Sequence, residues 1–145
     1  MTDPIELWHQ KVRPNPTDAQ FQVQLGCHFE EIGEMLETLT SASEMCCDDI
    51  DRAHTAIVKL AVSLKQSRYR VEITDREDFL DAAADQIVTA IGAAHCAGMQ
   101  ATEALRRVNS SNWSKFDENN KPIFNEHGKV MKGARYQPPN LEGLY

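Results

Sequence analysis

Asp78-Phe-Leu-Asp81-Ala-Ala-Ala-Asp85-Gln-Ile-Val-Thr-Ala-Ile-Gly-Ala-Ala-His-Cys96 is the stretch on which the fold turns. At about 100° of rotation per residue, a helix over it places Asp78, Asp81 and Asp85 in one narrow arc. Leu80, Ala82, Ala83, Ala84, Ile87, Val88, Ala90, Ile91, Ala93 and Ala94 surround Asp81 and Asp85. A helix apolar on nearly all sides is expected to be buried. Val88 and Gly92 continue the line of the two aspartates, so the acidic side is also expected to become water-poor within a turn.

A second acidic stripe lies upstream, in Phe29-Glu-Glu-Ile-Gly-Glu-Met-Leu-Glu-Thr-Leu39. On a helix, Glu30, Glu31 and Glu34 fall within about a quarter-turn. Leu25, Phe29, Ile32, Leu36 and Leu39, spaced by four and three, predict its main apolar side, with the glutamates roughly opposite. Alone, those acids would be a hydrated surface, but Val23 and Cys27 precede them on the same side, so a second covered face is expected. Carboxylates in a water-poor place are costly unless neutralised, and facing acids repel. The economical remedy is a divalent cation, and an all-oxygen donor set points to magnesium or manganese rather than zinc.

Composition bounds the possibilities. At 145 residues the chain is most simply one domain. No apolar run approaches the ~20 residues of a membrane span, and nothing reads as a signal peptide. Cys27, Cys46, Cys47 and Cys96 have no paired spacing, which predicts reduced thiols and a cytoplasmic setting. A net charge of −7 argues against non-specific nucleic-acid binding. The charge is uneven: residues 1–105 carry 8 basic and 18 acidic side chains, residues 106–145 carry 7 and 4. An acidic body with a basic tail suits a polyphosphate bridged by metal.

In chain order, Pro4 to Val12 predicts a short helix, broken by Arg13-Pro-Asn-Pro16, with Trp8 as core. Thr17 and Gln20 form a capping box for the next helix, Ser41 and Glu44 for a third, and Thr74 and Glu77 for the aspartate-bearing fourth. The third carries Ile50, His54, Ile57, Ala61 and Leu64 at heptad-like intervals, with His54 expected as a satisfied core or interface histidine. It ends near Ser67, followed by an Arg68-Tyr-Arg-Val-Glu72 connection; Gly98 fits the end of the fourth. A fifth helix is expected from about Gln100 toward Lys115, and Asn109, Asn112 and Lys115 step along it. Beyond Phe116, turn clusters at Asp117–Asn120 and Asn125–Gly128 flank short extended pieces and predict a small hairpin, punctuated by Lys121, Lys129, Lys132 and Arg135. No phosphate loop, zinc spacing or nucleophile motif is present in the sequence.

Taken together these motifs resemble a family. Glu30-Glu-Ile-Gly-Glu34 resembles the EExxE motif of the all-α nucleoside triphosphate pyrophosphohydrolases, which comprise MazG-like proteins, dimeric dUTPases, dCTP pyrophosphatases and phosphoribosyl-ATP pyrophosphohydrolase. Asp81-Ala-Ala-Ala-Asp85-Gln-Ile-Val resembles their second acidic motif, and Asn112-Trp-Ser-Lys115-Phe their Asn-x-x-Lys. The tail, Lys121-Pro-Ile-Phe through Gly128-Lys-Val-Met-Lys132-Gly to Tyr136 and Pro138-Pro139, is similar to those of phage and prophage members. One departure stands out: where the family has Glu-x-x-Asp, the residue three before Asp85 is Ala82, and Asp81, about 40° away on the same face, takes its place.

The resemblance implies an all-α fold: a four-helix core with a short N-terminal helix and an irregular or small-hairpin C-terminal tail. Residues 1–116 would form the pyrophosphohydrolase-like domain, and 117–145 a basic tail packed on it. It implies hydrolysis of a nucleoside triphosphate between the α and β phosphates, with Glu31, Glu34, Asp81 and Asp85 as ligands of Mg2+, or of Mn2+. Glu30 and Glu31 are the catalytic candidates, Glu30 as further ligand or as the base orienting water. Asn112, Lys115, Lys129, Lys132 and Tyr136 would hold the substrate. A homo-oligomer, dimer or tetramer, is implied, with no nucleic-acid or membrane partner. Two rival readings stand beside it: a phosphoribosyl-ATP pyrophosphohydrolase on the same scaffold, and a non-catalytic helical interaction protein.

Overall fold

Among the described residues five helices follow one another: α1 Pro4–Val12, α2 Asp18–Glu37, α3 Glu44–Lys65, α4 Arg76–Cys96 and α5 Ala101–Trp113. The computed structural model describes residues 3–68, 70–126 and 128–145, so Tyr69 of the expected connection and His127 of the expected turn lie outside it. Among the described residues there is no strand, only an antiparallel bridge between Phe124 and Val130. The chain is all-α. It divides into two compact units, one spanning Pro16–Ile73 and the other the stretch to Asn15 together with Thr74–Tyr145.

Local chemistry starts and stops these helices. Thr17 accepts from the Gln20 amide while the Gln20 side chain accepts from the Thr17 amide, the expected box. Two other caps are displaced by one or two residues from the sequence reading. Ser43, not Ser41, accepts the Cys46 amide at the start of α3. Asp75, not Thr74, takes the Glu77 and Asp78 amides at 2.9 and 3.0 Å, a charged acceptor at the positive end of α4. Gly98 follows α4 with φ +80, and Met99 N–H returns to the Ala94 carbonyl, a closure that a Cβ would strain.

In the first unit α2 and α3 form an antiparallel pair, because two glycines one heptad apart let the backbones close. A Cβ on Gly26 would stand 2.9 Å from the Ala61 carbonyl and 2.7 Å from Lys65 Cγ; one on Gly33 would meet Val58 Cγ2 at 3.1 Å. The most buried line of α2 is therefore Gln22, Gly26 and Gly33, while Leu25, Phe29, Ile32 and Leu36 are half-buried and Leu39 is exposed. The predicted Leu-Phe-Ile-Leu-Leu side is displaced from the helix contact because small residues, not large ones, permit the close approach. Across it, Ala61 and Leu64 are buried, and half-buried His54 donates from Nε2 to the Glu37 carboxylate at 2.9 Å, a satisfied histidine as expected.

The second unit is built around Phe116, 1 % exposed. Trp8 stacks on it at 6.1 Å and Trp113 packs edge-on at 5.3 Å. The Trp8 indole donates to the Asn112 carbonyl and that of Trp113 to Pro4, which fastens α1 to α5. Burying one such ring contributes about 2–3 kcal/mol. Trp8 is thus core. The tail is a hairpin in miniature: Met131 N–H bonds the Ile123 carbonyl at 2.7 Å and Asn125 N–H that of Lys129 at 3.0 Å. Its end is fastened too, since Leu144 is buried and its carbonyl accepts the Gln100 amide.

α4 departs from expectation. None of its residues is buried, and Leu80, Ile87 and Val88 are 70, 62 and 65 % exposed. Within its unit α4 packs only on α5, so α5 and the tail leave most of its circumference uncovered. No helix among the described residues is long and apolar enough to cross a membrane.

The two glycines should respond differently to alanine. Helix propensity favours Ala by about 1 kcal/mol at either site. At Gly33 the neighbour is a methyl group that can yield, so Gly33→Ala should stay within about 0.5 kcal/mol of the parent. At Gly26 the neighbour is a backbone carbonyl, and Gly26→Ala should destabilise by about 1–2 kcal/mol, read as the shift in urea midpoint.

Candidate metal and phosphate site

The Gly26 and Gly33 contact fixes where the three glutamates of α2 point. Measured around the helix from the buried line, Glu30 lies about 60° off, Glu34 about 100° and Glu31 about 160°. Glu30 is near enough for α3 to reach: Lys65 passes over Gly26 and its ammonium donates to Glu30 Oε1. Glu31 and Glu34 are exposed, and neither carboxylate has a hydrogen-bond or ionic partner among the described residues.

The same holds for the aspartates. Asp81 and Asp85, one turn apart on α4, are exposed, and their carboxylates meet no partner among the described residues; only the Asp85 backbone carbonyl is used, by the Thr89 hydroxyl at 2.8 Å. Glu31 and Glu34 belong to the unit of α2 and α3, Asp81 and Asp85 to that of α1, α4 and α5. Each helix thus offers one pair of bare oxygen donors. No group of three or more His, Cys, Asp or Glu side chains is gathered among the described residues. Magnesium does not demand one: it keeps several waters and is usually held by one or two carboxylates plus substrate phosphates. Each pair taken by itself offers the all-oxygen donors that ion takes.

The substrate-binding candidates fall into two pairs and a single. Lys115 Nζ donates to Asn112 Oδ1 at 2.7 Å, so the i, i+3 step along α5 brings that lysine and amide together. The Lys132 ammonium sits 4.8 Å from the centre of the Tyr136 ring, a cation–π arrangement. Lys129 is exposed, and its backbone N–H is held by Asn125 Oδ1 at 2.9 Å. Gln22 on α2 is 7 % exposed and accepts the Val71 amide, so it is structural.

The sequence reading passed over a charged network on α5. Glu103 accepts from Arg106 through Nε and Nη2, both at 2.7 Å, and from Arg107 Nε at 2.8 Å. These bonds hold its carboxyl down at about 2. The i, i+3 and i, i+4 spacing of opposite charges would have revealed it. Arg107 also donates to the Asn140 and Glu142 carbonyls, which ties the tail to the helix. Because the folded value lies below the ordinary one of 4.5, the contribution of Glu103 is complete above about pH 4.5 and is lost as pH falls toward about 2. Glu103→Gln should therefore reduce the pH dependence of the urea midpoint between those values while the parent protein loses stability across them.

No family model, no curated protein and no solved structure matches this chain. What the site can do rests on its own chemistry and on the motif resemblance.

Proposed function

We propose that this protein is a magnesium-dependent nucleoside triphosphate pyrophosphohydrolase that releases a nucleoside monophosphate and pyrophosphate. The observation that carries the reading is the pairing of bare carboxylates: Glu31 with Glu34 and Asp81 with Asp85 stand one helical turn apart with no Lys or Arg partner among the described residues, while the neighbouring Glu30 has Lys65. The likeness of Glu30–Glu34, Asp81–Val88 and Asn112–Phe116 to the all-α pyrophosphohydrolase motifs supports it, and with it a four-helix core of the MazG-like type.

Bound to these acids, Mg2+ would polarise phosphate oxygens and lower the pKa of a bound water. Glu31, Glu34, Asp81 and Asp85 supply the ligands. Glu30 would orient the attacking water through Oε2, since Lys65 takes only Oε1. Lys115, Lys129 and Lys132 hold phosphate oxygens as point charges, with Asn112 and Tyr136 adding hydrogen bonds. The uncovered Leu80, Ile87 and Val88 support assembly into a dimer or tetramer, since contiguous exposed apolar surface marks association.

A panel of nucleoside triphosphates and phosphoribosyl-ATP, incubated with Mg2+ and resolved by product, tests the reaction. Pyrophosphate with a monophosphate is expected; orthophosphate with a diphosphate, or release of intact triphosphate, would remove the mechanism. Glu34→Gln and Asp85→Asn should each lower kcat on the order of a hundredfold and abolish the thermal shift produced by Mg2+. Unchanged turnover in both variants would take these acids out of the mechanism, whereas no turnover of any substrate and no thermal shift with Mg2+ in the parent would leave the interaction-protein reading.

A further inference from the structure

Along α5 runs a cleft of about 390 Å³, walled by Arg106, Arg107, Ser110, Ser111 and Ser114 on the helix and by Gln137–Asn140 on the returning tail. The volume lies within the range of small-molecule sites, about 300–1,000 Å³. Nothing in the proposed hydrolytic machinery lines it.

The polar groups of the cleft sort into those that build the wall and those that do not. Ser111 Oγ donates to the Gln137 carbonyl at 2.7 Å, and Ser114 Oγ accepts the Gln137 amide at 2.8 Å while donating to the Ser111 carbonyl. Both hydroxyls are spent on holding the tail. Arg106 uses Nε and Nη2 on Glu103, and Arg107 uses Nε on Glu103 and Nη1 on two carbonyls. Arg106 Nη1, Arg107 Nη2 and the Ser110 hydroxyl have no partner among the described residues. Arg106 and Ser110 are four apart, so they share one side of the helix.

Charge selects the ligand. Two guanidinium groups face one carboxylate, which leaves one positive charge at the cleft. Free guanidinium N–H groups beside a hydroxyl suit a group with several anionic oxygens in a compact arrangement, as a phosphate has. A bare phosphate would fill little of the space, and Pro138 and Pro139 supply apolar ring faces for an organic portion. We infer that the cleft between α5 and the Gln137–Asn140 segment is a binding site for a phosphomonoester, its phosphate on Arg106, Arg107 and Ser110 and its organic ring against Pro138 and Pro139.

The test is a titration of the isotope-labelled full chain with inorganic phosphate, ribose 5-phosphate, a nucleoside monophosphate and the parent nucleoside. It is followed by NMR in EDTA, so that carboxylate-bound metal contributes nothing. Saturable shifts of the Arg106 Nε–H and Ser110 signals are expected with the phosphomonoesters and not with the nucleoside. The arms with and without sugar and base separate free phosphate from an ester as the source. Arg106→Gln should weaken binding about tenfold or more, and Ser110→Ala several-fold. Arg106 is 71 % exposed in its side chain, so the folded state survives its replacement, and Ser110→Ala gives an independent reading. No saturation by about 5 mM in any arm, or equal affinity in the parent and both variants, overturns the inference.

Discussion

The closeness of α2 and α3 at Gly26 and Gly33 sets the angular position of everything else on α2. Since a Cβ added at 26 would stand 2.9 Å from a carbonyl, the pair has little slack in rotation, so the glutamates are aimed by the backbone and not by their own rotamers alone. The stem of Lys65 uses the space that Gly26 leaves, which is why Glu30 is neutralised and its neighbours one and four residues on are not. One missing methyl group therefore separates three similar acids into two kinds. The Glu30 pair is partly exposed, so its worth to stability is small. Its consequence is chemical: the ammonium occupies Glu30 Oε1 and leaves Oε2 as the oxygen that can accept from water.

α4 poses the opposite problem. Its apolar residues argue for burial, yet its own unit covers little of it. The hydrophobic effect, about 25 cal/mol per Å², makes such a surface a standing drive toward association. Under the proposed assembly this drive and metal binding would be coupled. Covering Leu80, Ile87 and Val88 lowers the local dielectric around Asp81 and Asp85, and the cost of their charges then rises unless a cation is shared. Assembly without metal would strain the acids, and metal without assembly would leave the apolar face wet.

Much of the fold was legible because its signals are local. The α1 limits, the Thr17 and Gln20 box and the Gly98 stop follow from residues within a turn of one another, and each stands where the sequence put it. Ser43 and Asp75 displaced Ser41 and Thr74 because any of several small polar residues can cap, and the choice depends on how the connection enters the helix. The helix contact of α2 was misplaced for a deeper reason. Hydrophobic periodicity weighs large side chains, whereas Gln22, Gly26 and Gly33 owe their burial to smallness and to one long-range bond with Val71. The candidate acids were found by type and spacing; Lys65 as partner of Glu30, and the far wall of the α5 cleft, depend on contacts 35 and 23 or more residues away.

The tail shows why a basic composition does not by itself make a phosphate site. A solvated polycation attracts phosphate weakly and without geometry, because each lysine must lose its freedom on binding. Here much of that loss is incurred on folding. The hairpin bonds at Ile123–Met131 and Asn125–Lys129, the turn at Asp117 that accepts the Asn119 and Lys121 amides, and the clamp of Arg107 on Asn140 and Glu142 fix the backbone that carries Lys129 and Lys132. Tyr136 further restricts Lys132 through its ring face without neutralising it, unlike the carboxylate that binds Lys65. An ammonium held by a ring keeps its charge while losing entropy in advance. It is therefore the better prepared of the two for the phosphate contact proposed for it.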